Sequence, residues 1–247
     1  MNTSLPWQTQ RAIREGMSFS AVVDINGVHN PKTGGFHVIL DAMNAGHKSI
    51  FVRDGTYPPE YWAGTYDAVS IYGESWDVII DGGTTAHALE IDGTTTNLFI
   101  SNLSLKTTSG AGNAYDCIKL QNGVETFNTF HRLQIIESDQ YGFCLNGHAA
   151  VALLFCVSKQ SDNEAVWGNS STHWLRTIGC DFATAGTGST WASHGDTGVV
   201  AGNIVRGTLE TLSASYNMAV IGNLCDVETV GGSSHTHSNE VNGGYRP

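Results

Sequence analysis

The sequence predicts one all-β domain, a right-handed parallel β-helix closed at its N-terminal end by a short helix. Three observations carry this. Short segments recur at steps of 20 to 30 residues. Each alternates apolar and polar residues and breaks at Gly, Asn or Asp. Charged residues are only 14% of the 247, while Gly contributes 29, the balance of a repeat protein with polar turns.

The opening stretch, 1–47, reads as an N-terminal segment and cap. Phe36-His-Val-Ile-Leu-Asp-Ala-Met-Asn-Ala45 has the pattern of a short amphipathic helix stopped by Gly46. A helix there covers the open end of a solenoid, which otherwise exposes an aggregation-prone edge. Trp62 and Trp76 are expected to pack this cap. Ser49-Ile-Phe-Val-Arg-Asp-Gly-Thr-Tyr57 reads as a strand and tight turn, and Val69–Gly73 and Asp77–Gly82 continue as the first full coil.

The stack itself is assigned to 48–230. Ile100-Ser101-Asn102-Leu103 recurs as Phe130-His131-Arg132-Leu133, Leu154-Phe155-Cys156-Val157, Thr177-Ile178-Gly179-Cys180, Ala201-Gly202-Asn203-Ile204 and Ile221-Gly222-Asn223-Leu224. The final residues step by 30, 24, 23, 24 and 20. On this alignment Asn102, Asn203 and Asn223 share one register, where Asn suits a sharp turn. A second series begins at Ala88, Cys117, Gly142 and Ala165. A short strand cannot bury its apolar face alone, but stacked on its copy at ~4.8 Å it does. The leucine pattern of leucine-rich repeats is absent, and propeller repeats are longer.

Lys and Arg total 12 against 23 Asp and Glu, a formal charge of −11. That surface repels phosphate backbones and anionic lipid, so nucleic acid is not an expected partner. No segment reaches ~18 consecutive apolar residues, so no membrane span is expected. Met1 to Gly16 lacks the apolar run of a Sec-type signal peptide. The five cysteines, Cys117, Cys144, Cys156, Cys180 and Cys225, show no metal-site spacing and read as buried thiols.

With "VVD.NG", "HVILDAMNAG" and "SIFVRDGTY" between Ala21 and Tyr57, followed by these repeats to about residue 230, the chain resembles the pectin lyase-like superfamily of right-handed β-helices. In character it is most similar to bacteriophage tailspike and tail-fibre proteins. The superfamily's signature sets are missing: no Gln-Asp or Gly-Arg-Pro-Trp of the methylesterases, and of the polygalacturonase series only His194-Gly-Asp-Thr-Gly198 comes near. Basic residues of the kind pectate lyases use are few in the coils.

Three constellations are candidates for chemistry. Ser138-Asp139 and Ser161-Asp162 lie 23 residues apart, one coil. Carboxylates on adjacent strands stand ~5 Å apart, the separation a retaining glycosidase uses. Asp139 and Asp162, with Glu164 nearby, are therefore candidate catalytic acids, although Ser and Asp also cap turns. Tyr141, Trp167, Trp174 and Trp191 are candidate sugar-stacking rings. If Val166 points inward, alternation turns Trp167 outward. In the Gly-rich tail, 231–247, His235 and His237 face one way on an extended strand and can share a metal. The tail-fibre resemblance implies an iron held by such pairs from three chains. The alternative is a disordered tail with incidental histidines.

These readings point to a protein that binds surface polysaccharide in the manner of a tailspike, with or without glycoside hydrolysis. They imply a homotrimer, no required cofactor beyond iron or another divalent metal at the His-x-His, host cytoplasm during assembly, and a virion or extracellular destination. A free polysaccharide hydrolase or lyase and a non-catalytic structural β-helix are the alternatives.

Overall fold

The computed structural model describes residues 18–27, 34–108, 114–121, 127–146, 150–168, 174–184, 189–193, 197–211, 218–230, 235–237, 239–241 and 244–246. The signal-peptide question at Met1 to Gly16 and the His194-Gly-Asp segment fall outside these residues. The chain is a parallel β-helix. Among the described residues all strand pairings are parallel except that of Asn239–Val241 with Gly244–Arg246.

The coils contribute strands to three long rows, and two of them add a fourth strand, Tyr66–Asp67 paired with Thr95–Thr96. Row 1 begins with Ala21–Val23, flanked by Gly35–Phe36, and continues through Ser49–Val52, Ser70–Gly73, Phe99–Ser101, Phe127–His131, Ala150–Leu154, Trp174–Ile178, Thr197–Ala201, Met218–Ile221 and His235–His237. Row 2 holds Gly55–Tyr57, Val78–Gly83, Ser104–Thr107, Gln134–Glu137, Val157–Ser158 and Asp181–Ala183. Row 3 holds Glu60–Trp62, Leu89–Ile91, Ile118–Leu120, Phe143–Leu145, Val166–Gly168 and Trp191–Ser193. The long strand Ile204–Thr211 pairs with Asp181–Ala183 through its first half and with Trp191–Ser193 through its second, so rows 2 and 3 merge there. Leu224–Val230 repeats that merged strand.

The interior is made of columns. In row 1, Ile50, Ile71, Ile100, Phe130, Leu153, Thr177, Val200 and Val220 stack in register, and all are buried. In row 3 the buried column is Leu89, Ile118, Phe143, Val166, Trp191 and Leu209. Strand alternation explains both: every second side chain meets its copies at the ~4.8 Å rung spacing, and the others face out. All five cysteines are buried and free.

The turn between rows 1 and 2 corrects the sequence alignment by one residue. Asn102, Arg132, Phe155, Gly179, Gly202 and Gly222 occupy equivalent turn positions, with φ between 53° and 66°. The position after it runs Leu103, Leu133, Cys156, Cys180, Asn203, Asn223 and Asn239. Asn102 therefore belongs to the left-handed position, whereas Asn203 and Asn223 belong to the buried one. Alignment on apolar residues placed Val157, Ile204 and Leu224 with Leu103. The latter two instead face outward, being 38% and 42% exposed.

The cap helix is shorter than the pattern predicts, Ile39–Asn44, because Gly35–Phe36 is strand. Its N-terminal amides find their acceptor far along the chain. Glu60, buried at 4% exposure, accepts the N–H of Ile39 at 2.8 Å and of Leu40 at 3.1 Å, and the indole N–H of Trp62 at 3.0 Å. Trp62 thus packs the cap as expected. Trp76 does not: its indole N–H reaches Arg132 O at 2.7 Å on the flank of the coils. No helix among the described residues is long and apolar enough to cross a membrane.

Candidate functional site

Row 3 turns a second column outward. Tyr61, Glu90, Lys119, Cys144, Trp167 and Ala192 stand on successive rungs, with Cys144 and Ala192 themselves covered. The turns joining row 2 to row 3 are also stacked in register. Ser138 and Ser161 form a parallel bridge, Cys117 N–H reaches Tyr141 O at 3.0 Å, and Gly142 N–H reaches Glu164 O at 3.1 Å. Residues of those turns therefore stand beside the outward column, coil after coil.

Where the two sets meet, titratable groups contact one another. Asp116, 2% exposed, accepts the Tyr141 N–H at 3.1 Å. Burial pushes its carboxyl up to about 7, against hydrogen bonds from the Tyr141 amide and the Cys144 thiol that lower it. His87 Nδ1 accepts the Asp116 N–H at 2.9 Å, and its Nε2 lies 3.1 Å from Lys119 Nζ. Burial first, and the ammonium second, pull His87 down to about 4, so the imidazole is neutral at pH 7. The His87–Asp116 contact at 3.5 Å is then no ion pair. Lys119 Nζ also faces Glu90 Oε1 at 3.9 Å, where the Gln121 amide donates as well. Tyr115 meets the His87 ring edge-on at 5.4 Å.

A groove of about 320 Å³ opens on this cluster, lined by Pro59, Glu60, Tyr61, Thr85, Ala86, His87, Glu90 and Tyr115. Three coils along, Tyr141 and Trp167 stack with centroids 5.7 Å apart and planes 13° from parallel. The face thus offers aromatic surface at both ends and proton-exchanging groups between. Pairs of groups whose environments push their pKa values apart are what acid–base work requires.

The residues singled out from sequence are distributed as follows. Asp139 and Asp162 sit on adjacent coils beside the Ser138–Ser161 bridge. The Asp139 carboxylate accepts the Tyr115 N–H at 3.1 Å and so holds that turn. Burial, and then Glu210, raise the Glu164 carboxyl. Trp167 faces outward over Val166, as alternation requires, and joins Tyr141. Trp174 lies on row 1 and belongs to another face. Trp191 is a correction: it sits in the inward column at 0% exposure and offers no stacking surface. The backbone of His235–His237 is a strand paired with Met218–Ile221, but the two imidazoles lie outside what the structure describes. Among the described residues no group of three or more His, Cys, Asp or Glu is arranged to hold a metal.

Sequence reasoning missed His87, Asp116, Lys119, Glu90 and Cys144. The signal was present in the second series, whose middle positions are Glu90, Lys119, Cys144 and Trp167. Reading those outward positions as a column would have found four of the face's residues.

No protein family and no curated protein matches the sequence. Two crystal structures of pectin methylesterase from Aspergillus niger are similar to this chain. The penultimately deglycosylated form has a TM-score of 0.47 and 14% identity, covering 94% of this chain and 87% of that one. The deglycosylated form has a TM-score of 0.41 and 15% identity, covering 98% and 88%. The assignment as a parallel β-helix stands on the chain's own strand pairing.

Proposed function

We propose that the chain binds polysaccharide along its row 3 face, in the manner of a tailspike-type β-helix acting on surface glycan. The observation that carries this is the outward column from Tyr61 to Trp167. Its five rungs span roughly 19 Å at the usual strand spacing. Tyr61 is 51% exposed at one end, and Trp167 is stacked on Tyr141 at the other. Rings rigidly held at the ends of a polar trough suit sugar rings, whose apolar faces stack and whose hydroxyls take up hydrogen bonds. Binding to an oligosaccharide array tests the reading, with Tyr61→Ala and Trp167→Ala as variants. Each is expected to weaken the strongest signals about tenfold, or 1.4 kcal/mol. Unchanged binding in both would remove this face.

A second reading adds cleavage, and the His87–Lys119 contact favours it. To take a proton, the neutral imidazole must first release the Asp116 N–H from Nδ1, its one acceptor nitrogen, while the Lys119 ammonium faces developing negative charge. That arrangement suits elimination better than hydrolysis, since the carboxyl raised to about 7, Asp116, stands behind His87. Unsaturated chain ends in the products would show elimination, and saturated reducing ends alone would show hydrolysis. Neither would leave a binding protein.

The virion or extracellular setting, the homotrimer and the shared iron belong to the same proposal. Alternate residues of a strand share a face, which supports reading the His-x-His sequence as a pair. Light scattering with metal analysis is expected to give a trimer whose iron is lost in a His235→Ala/His237→Ala variant; a metal-free monomer would sink this part.

A further inference from the structure

We propose that the outer surface of row 1 carries a second binding site, on a different face from the row 3 groove, for a sugar ring bearing a carboxylate. Phe127, Ala150 and Trp174 are partners on three successive rungs. Phe127 is 68% exposed and Trp174 50%. Both rings flank an alanine, so they stand two rungs apart, about 10 Å. That is too far for the rings to contact each other, since aromatic pairs sit at roughly 4.5–7 Å. It is the right width for one ring held about 5 Å from each.

The next outward positions repeat the shape. Thr129, Ala152 and Arg176 occupy the same three rungs. A recess of about 80 Å³ lies between the two sets, floored by Ala150 and Ala152. One wall is therefore apolar and flat, and the other presents a guanidinium and a hydroxyl. Among the described residues no carboxylate pairs with Arg176. A guanidinium offers a planar fork that matches a carboxylate with two parallel hydrogen bonds.

Charge makes the choice of occupant. The chain carries −11 overall, but charges more than ~8 Å away are largely screened at physiological salt. The Arg176 guanidinium beside the slot then decides the local field. A neutral ring would satisfy the aromatic walls and leave the fork unused. A uronic acid satisfies both, with its ring between Phe127 and Trp174 and its carboxylate on Arg176. Two outward residues on every rung also explain why the slot sits at Ala150 and Ala152: a larger side chain at either position would fill the floor.

Isothermal titration calorimetry of the intact chain tests this with galacturonate and glucuronate oligosaccharides and their neutral galactose and glucose counterparts. The acidic oligosaccharides are expected to bind. Trp174→Ala is expected to weaken them at least tenfold. Arg176→Gln is expected to weaken them about tenfold and leave the neutral counterparts unchanged, and to do so equally in the parent and in a Trp167→Ala background. Both row 1 positions are exposed, so both variants should melt with the parent. Absence of acidic-oligosaccharide binding by the parent overturns the proposal. So does binding insensitive to Trp174→Ala and Arg176→Gln. Loss in Trp167→Ala alone would assign the binding to row 3, and a change of oligomeric state in Trp174→Ala would assign the slot to a second copy of the chain; either overturns it.

Discussion

The side-chain oxygen of Asn223 accepts both the backbone N–H of Asn203, at 3.0 Å, and its side-chain amide, at 2.9 Å. The pattern repeats along the column. Asn239 does the same for Asn223, and Asn203 and Cys180 accept the N–H of Cys180 and Cys156. Each member also donates back: Asn223 to Val200 O, Asn203 to Thr177 O, Cys180 to Leu153 O and Cys156 to Phe130 O. Two cysteines thus take the bonding role of asparagines, with thiols as weak donors and acceptors.

Asn223→Ala is therefore expected to be costly. It leaves the buried N–H of Asn203 without a partner and takes a side-chain donor from the carbonyl of Val200, which stays within the paired strand Thr197–Ala201. At ~1–3 kcal/mol for the stranded N–H and about 1 kcal/mol for the lost bond to Val200, the loss is roughly 2–4 kcal/mol. Cys180→Ala breaks fewer and weaker bonds and should cost clearly less. Urea unfolding of the two variants checks the order, and equal losses would count against the thiols acting as ladder members.

The left-handed column gives a second expectation. Gly222 is open, with nothing near an added Cβ, so Gly222→Ala costs only its φ of +62°, about 1–2 kcal/mol. A Cβ at Gly179 would stand 2.7 Å from the Phe155 ring, which lies over it. Gly179→Ala should cost more, and Phe155→Ala should relieve part of the excess. Melting temperatures of the three single variants and the double variant give the coupling directly.

The stability profile with pH follows from His87 and Asp116. Asp116 is raised from 3.8 to about 7, so between those values the folded chain holds a proton the unfolded chain has lost, and stability falls as pH rises. His87 is lowered from 6.5 to about 4, so between those values the unfolded chain holds the extra proton, and stability rises with pH. The two slopes oppose each other from about pH 4 to 6.5. Asp116→Asn should uncover the rising limb and His87→Gln the falling one. Profiles that stay parallel to the parent in both variants would contradict the placement of these groups.

Two tryptophans separate packing from function. Trp62 donates to Glu60, whereas the Trp191 indole N–H is buried with no partner among the described residues. Trp191→Phe removes an unsatisfied group and should cost less than Trp62→Phe, which deprives a buried carboxylate of a donor. Glycan binding by folded Trp191→Phe should match the parent.

The fold was legible because its periods are long and its alternation strict. The steps that place Leu133 under Leu103 and Phe143 beside Ile118 can be counted in the sequence. The one-residue slip at Asn203 and Asn223 arose because apolarity marks two adjacent positions of the turn, one inward and one outward. Backbone conformation distinguishes them, and composition does not. The cap's dependence on Glu60 was invisible for a different reason: it joins residues 21 apart with no local pattern. The candidate site was only partly legible. Trp167 and Tyr141 could be read from alternation and coil length. Asp116 reads as an ordinary turn aspartate until its burial and its neighbours on two other coils are known.

The ladder has a consequence for how such a chain changes length. Beside it, the strand pairing runs between equivalent backbone atoms of neighbouring coils, whatever the coil's own residues. The steps Phe130 to Leu153, Leu153 to Thr177 and Thr177 to Val200 are 23, 24 and 23 residues. Excising one such step, or duplicating it, would present each remaining rung with a neighbour it can already bond. The molecule is a ruler whose unit is one rung: the outward faces lengthen or shorten by about 4.8 Å at a time, without any change to the parts on either side.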